Sequence, residues 1–233
     1  MTRRVVVLTA GLSQPSSSRL LADQLADAVS AAVTARGEAV EFEVVELREL
    51  AIELATTTLT GGLPTAAVAD VRDKVSAADG VIAVTPVFAA SYSGLFKMFI
   101  DVLDPDALNG MPVLIAATAG TPRHALVLDH AMRPLFTYLR AVVTPTGIFA
   151  ATEDFGSAGL AERVRRAAAE FATLVVAEQN AVAGFVPEQR RTHRRSGNSL
   201  ATPAPFAELL AGHTGTVAAP NTRHDRPGLQ PHS

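Results

Sequence analysis

The stretch GVIAVTPVFAASYSGLFKMFID, residues 80–101, changes its hydrophobic period in mid-course. Val81 to Val84 form a continuous apolar run, the pattern of a strand covered on both faces. Further on, Leu95, Phe96, Phe99, Ile100 and Leu103 recur at helical spacing, and Lys97 and Asp101 form an i,i+4 pair on the opposite side. Between the two patterns Pro86 stiffens the strand exit and Gly94 permits close approach where the helix begins. A strand, a short loop and a core-facing helix make half of a βαβ unit.

The same alternation extends in both directions. Strands are expected at 3–9 (RRVVVLT), 40–47 (VEFEVVEL), 80–86, 111–118 (MPVLIAAT) and 140–150 (RAVVTPTGIFA). Helices are expected at 17–36, 65–78, 93–103, 123–139 and from 157 to about 182. Strict alternation argues for parallel strands joined by right-handed crossovers. In the second strand Glu41, Glu43 and Glu46 alternate with Phe42, Val44 and Val45, which marks an edge with one wetter face. The expected fold is α/β, a doubly wound parallel five-stranded sheet in the order 2-1-3-4-5. Residues 48–64, rich in threonine and glycine, read as a long exposed connection, either a cofactor lid or an oligomer contact.

Composition narrows the function classes. Of the 233 residues, 48% are hydrophobic and mean hydropathy is +0.23, enough for a sizeable core. No apolar run approaches the roughly 20 residues of a membrane span, so no membrane association and a cytoplasmic location are expected. The absence of cysteine excludes disulfides, thiolate zinc sites and cysteine nucleophiles. His124 and His130 lack the i,i+4 spacing of a helical metal pair, and no GxSxG elbow is present.

Charge divides the chain unevenly. Residues 186–233 hold six arginines against three acidic residues, so the net charge of -3 conceals about -6 on the residues before them. Residues 1–186 are therefore read as the domain, and 187–233 as an Arg/Pro-rich extension, largely disordered after Gly212. The run RRTHRR (190–195) is either a phosphate or partner contact or a solvated charge run. No nucleic-acid partner is expected of an acidic body.

In a doubly wound sheet ligands bind beyond the carboxyl ends of the strands, where the strand order reverses. The first such loop, in LTAGLSQPSSSRLLADQL (8–25), carries four hydroxyls before a helix but lacks both GxGxxG and the P-loop pattern. Hydroxyls and free amides at a helix start can hold a phosphate, with Arg19 adding charge. A serine N-cap is the plainer alternative. The third-strand loop, with Pro86, Phe88, Tyr92 and Gly94, can lay amides and an aromatic edge along a flat ring. The fourth-strand turn, ATAGTPRH (117–124), leaves the backbone unobstructed at Ala119 and Gly120. Arg123 and His124 behind it either meet nucleotide phosphates or cap the next helix.

These segments resemble a known family. The serine-bearing first loop, the TPxxxxSxxGxxKxxID pattern of Thr85 to Asp101 and the turn at Gly120 are similar to the NADPH-dependent FMN reductases, which are flavodoxin-like. AGLSQPSSSRLLADQLA together with TPRHALVLDHAMRPLFTYLRA resembles the branch that partners luciferase-like flavin-dependent monooxygenases. The resemblance covers about residues 3–182. It implies that Ser13, Ser16, Ser18 and Arg19 hold the FMN phosphate. It also implies that Pro86, Val87, Phe88 and Ser91 meet the isoalloxazine, with Thr118, Ala119 and Gly120 along its other edge. Many members carry an acidic residue, a tyrosine and an asparagine where this chain has Val87, Phe88 and Ala89. The implied activity is hydride transfer from NADPH or NADH to FMN, with no catalytic protein residue, supplying reduced FMN to a partner monooxygenase. Members often place the flavin at a subunit interface, which implies a homodimer or homotetramer. The alternatives are a flavodoxin-like electron carrier, or a quinone or azo reductase acting on a retained flavin.

Overall fold

A computed structural model describes residues 2–177 and 194–198. Its parallel strands are β1 (Thr2–Thr9), β2 (Ala39–Glu46), β3 (Gly80–Phe88) and β5 (Pro112–Ala119), followed by a fifth in two pieces, β6 (Val142–Val143) and β7 (Ile148–Ala151). Pairing runs β2-β1-β3-β5, with β6 and β7 both on β5. With the pieces counted as one strand, this is the expected flavodoxin-like order 2-1-3-4-5.

The fifth strand breaks for a local reason. Val143 pairs with Val113 and Ile148 with Ala116, so four residues on one side face two on the other. The surplus contains Pro145, which has no amide to give to a ladder, and Gly147. A Cβ on Gly147 would lie 3.2 Å from the Ile115 side chain.

Helices cover both faces. Helix α1 (Ser17–Thr34) and α6 (Ala158–Ala177) bury Leu21, Leu25, Val29, Leu160, Val164 and Phe171 against Val5, Val7, Ile82 and Val84. On the other face lie α2 (Ala51–Leu59), α3 (Ala66–Ala77), α4 (Gly94–Asp101) and α5 (Arg133–Tyr138). There Phe96, Phe99 and Phe136 pack on Val6, Leu8, Val81, Ala83 and Ile115. Odd and even residues of β1 and β3 thus feed two separate cores, as the alternation of side chains along a strand requires.

Three expectations need correction. Residues 48–64 are not simply a connection: a 3-10 turn at Leu47–Leu50 leads into α2. Leu47, Leu54 and Thr57 are buried on its inner side, while Ile52 and Leu59 lie outward at 78% and 87% exposure. The single helix expected at 123–139 is a 3-10 turn (Pro122–His124), a π-helical segment (Leu128–Met132) and only then α5. Pro134 in the first turn of α5 has no N–H to continue the earlier ladder. Finally, β3 runs past the expected end at 86 and folds back as a hairpin with β4 (Ser91–Tyr92).

The division placed at residue 186, and all of the tail except 194–198, lie outside the described residues. Within 194–198, the Ser196 carbonyl accepts from Arg72 Nε at 2.8 Å, and Asn198 Nδ2 donates to the Ala69 carbonyl at 2.7 Å. Arg194 reaches the Ala78 carbonyl. This part of the extension lies against α3. No helix among the described residues is long and apolar enough to cross a membrane.

Candidate functional site

The turn after β1 is built around a close approach. Gly11 is buried, and a Cβ there would fall 1.9 Å from Ser16 Oγ. Glycine is required because Ser16 caps α1, its Oγ accepting from the Arg19 amide at 3.2 Å. The Leu20 amide bonds to the Ser16 carbonyl at 3.0 Å. The Ser17 and Ser18 amides find no acceptor among the described residues, as expected for the first N–H groups of a helix.

The four residues expected to hold phosphate therefore do different things. Ser13 is exposed on the turn, and Ser16 is the cap. Ser18 points inward, and its Oγ lies 2.8 Å from Thr118 Oγ1, joining the start of α1 to the end of β5. Arg19 Nε meets Asp23, one turn along α1, at 2.8 Å, and its Nη1 reaches Glu46 at the end of β2 at 2.7 Å. Hydrogen bonds to Asp23 and then Glu46 raise its pKa, so it stays charged and committed.

A wider charge network braces the turn. Arg48 pairs with Glu46 at 2.6 Å. With its amide oxygen toward Arg48, Gln14 accepts from Nη1 at 2.7 Å. The chain Gln14, Arg48, Glu46, Arg19, Asp23 links both ends of the serine turn to the end of β2. Glu46 was legible only as part of a wet strand face, and nothing in the sequence pointed to Gln14 or Arg48.

The turn after β3 is the hairpin. Val87 pairs with Tyr92 and Phe88 with Ser91, leaving Ala89 and Ala90 as the turn residues at φ +46° and +67°. Thr85, fully buried, orients the exit: its Oγ1 accepts from the Ser93 amide at 3.0 Å and donates to the Pro86 carbonyl at 3.0 Å. Ser93 caps α4 by accepting from the Phe96 amide at 3.1 Å. Phe88 is 47% exposed, and Ser91 is partly so. The third turn leaves β5 at Thr118 and Ala119, and a Cβ on Gly120 would meet nothing within 4 Å.

All three turns stand at the carboxyl ends of neighbouring strands, because β1 pairs with β3 and β3 with β5. Unpaired amides at a long helix start fit a phosphate. Backbone-lined turns with open space at Gly94 and Gly120 fit a flat ring. Thr9 Oγ1, buried at the end of β1 with no partner among the described residues, adds a polar group at the same end.

The model of the family described as NADPH-dependent FMN reductase matches residues 3–156, a span that includes all three turns. The chain belongs to that family. It is 36% identical to the FMN reductase (NADPH) of Pseudomonas aeruginosa over 176 residues, 73% of this chain and 91% of the relative. It is 41% identical to the NADH-dependent FMN reductase SfnE of Pseudomonas putida over 169 residues, 70% of this chain and 88% of that one. An oxidoreductase from Corynebacterium diphtheriae has a similar structure, with TM-score 0.73 and 54% identity over 76% of this chain and 98% of that one. The names of the two reductases differ in the nucleotide, so family membership leaves the choice of hydride donor to local residues.

Proposed function

We propose that this chain binds FMN across the three turns, reduces it with a nicotinamide nucleotide and releases it to a separate flavin-dependent monooxygenase. The observation that carries the reading is the meeting, at one end of the sheet, of free helix-start amides with two backbone-lined turns. Bound FMN supplies the chemistry, its ring accepting hydride from the nicotinamide without a protein acid or base. The work of the chain is to hold two flat rings in contact.

In this reading the Ser17 and Ser18 amides and the Ser13 hydroxyl bind the phosphate. Ser16 and Arg19 shape the turn, since the first is the cap and the second is held by two carboxylates. Backbone at Pro86, Val87 and Phe88, with Ser91, lies along the ring, and Thr118, Ala119 and Gly120 follow its other edge. The open space at Gly94 and Gly120 supports exchange of flavin with solution, which supply to a partner enzyme requires. The outward Ile52 and Leu59, seven residues apart and so on one face of α2, support assembly as a homodimer or homotetramer.

The test is anaerobic mixing of the purified chain with FMN and NADPH, and separately with NADH, following loss of flavin absorbance. Catalysed bleaching with at least one nucleotide is expected; bleaching no faster than in the protein-free control defeats the reading. Restored turnover of a separately purified flavin-dependent monooxygenase checks the supply role.

A further inference from the structure

A cleft of about 490 Å3 opens beside the β3 hairpin, between Ala90 and Ser91 on one side and Arg123, His124 and His130 on the other, over Val127. Its basic side chains carry no visible task. Among the described residues Arg123 makes no hydrogen bond or ion pair, and the side chains of His124 and His130 make none either. The carboxylate on the same segment, Asp129, is turned to Arg133 at 3.1 Å. Other arginines at this end of the sheet are committed: Arg19 to Asp23 and Glu46, Arg48 to Glu46. No carboxylate lines the cleft.

We propose that Arg123, flanked by His124 and His130, binds a phosphate of the reduced nicotinamide nucleotide and thereby sets the choice between NADPH and NADH. The inference rests on reading the neighbouring turn as the flavin-ring site, because Ser91 belongs to both. A nicotinamide stacked on a ring beside Ser91 must send its phosphates outward along one side, and this cleft is the adjoining basic side. A guanidinium with all its donors free can take two phosphate oxygens at once in a fixed planar fork, whereas a lysine offers a point charge without that geometry. Leu126, 66% exposed on the same wall, offers apolar surface to an adenosine.

The experiment compares KM and kcat for NADPH and NADH in the unaltered chain, Arg123→Ala and Arg123→Lys. Arg166→Ala on α6 is the control, and FMN binding by fluorescence quenching establishes that each protein is folded. Loss of a charged phosphate contact predicts a KM increase of roughly tenfold or more in Arg123→Ala with a smaller change in kcat. Arg123→Lys should restore part of the loss. An increase for NADPH alone assigns the contact to the 2′-phosphate and supports the whole proposal, whereas an equal increase for both nucleotides assigns it to the pyrophosphate and overturns the role in choosing between them. Unchanged KM for both in an Arg123→Ala protein that still binds FMN overturns the proposal. If the unaltered chain oxidises neither nucleotide, the reductase reading fails, and calorimetry with adenosine 2′,5′-bisphosphate decides the cleft separately. Equal binding, or none, by the unaltered and Arg123→Ala chains overturns the proposal, whereas weaker binding by the variant supports it.

Discussion

Ser18 Oγ and Thr118 Oγ1 lie 2.8 Å apart, and both residues are at most 2% exposed. Each hydroxyl gives the other its partner in a place water does not reach, and together they fasten the first turn of α1 to the end of β5. Thr118→Val keeps the shape but leaves Ser18 with an unpaired hydroxyl, at a cost of about 1–3 kcal/mol. Thermal melts should show Tm falling by roughly 2–4 °C for each kcal/mol lost. Adding Ser18→Ala to Thr118→Val should recover part of the loss, because no orphan then remains. Strict additivity in that cycle would show that the two hydroxyls do not depend on each other.

Gly11 tests the phosphate turn. A methyl group there meets Ser16 Oγ at 1.9 Å, so Gly11→Ala must displace the cap or the turn. FMN binding should weaken about tenfold, the loss of one charge-assisted contact, while riboflavin, which lacks the phosphate, should bind as before. The milder Ser16→Ala removes the cap alone and should cost about 1 kcal/mol of stability. Equal weakening of FMN and riboflavin would remove the turn from phosphate recognition.

The sheet order was legible because its strands are short apolar runs separated by amphipathic helices, and residues 80–101 show the change of period within one stretch. Helix α2 was hidden by composition. Leu47, Leu50, Leu54 and Thr57 do recur at helical spacing, but TTTLTGG and a proline outweighed them. Pro145 and Gly147 were visible inside the fifth strand and mark where it divides. At the site, the three turns were legible, while the division of labour among the serines was not. Ser16 differs from Ser18 only because one meets a local amide and the other a threonine 100 positions away. Arg19 is drawn aside by Glu46, 27 residues on, a partner that local pattern does not reveal.

The hairpin holds two alanines at positive φ, +46° and +67°, where left-handed backbone favours asparagine and glycine. Each such alanine costs on the order of 1 kcal/mol. Ala89→Asn with Ala90→Gly supplies the residues this turn geometry prefers and should raise Tm by several degrees. The same exchange leaves the ladder between Val87 and Tyr92 untouched, so a melt with lower Tm would contradict the turn geometry described.

Acid stability should depend on the amino end of β1. Arg3, 2% exposed, holds Glu38 through two side-chain contacts, one of them Nη2 to Oε1 at 2.8 Å, and also reaches the Val176 carbonyl at 3.2 Å. The hydrogen bond from Arg3 holds the Glu38 carboxyl below its ordinary value, against a smaller opposing effect of desolvation. A depressed folded pKa means that the unfolded chain takes up the proton first. The contribution is therefore complete above the unfolded value of about 4.3 and is lost as pH falls through the lower folded value. Glu38→Gln should be less stable than the unaltered chain at neutral pH, with the gap narrowing as pH drops below about 4. Urea melts at stepped pH measure this directly, and a gap that stayed constant across the range would mean that the pair has no part in the acid response.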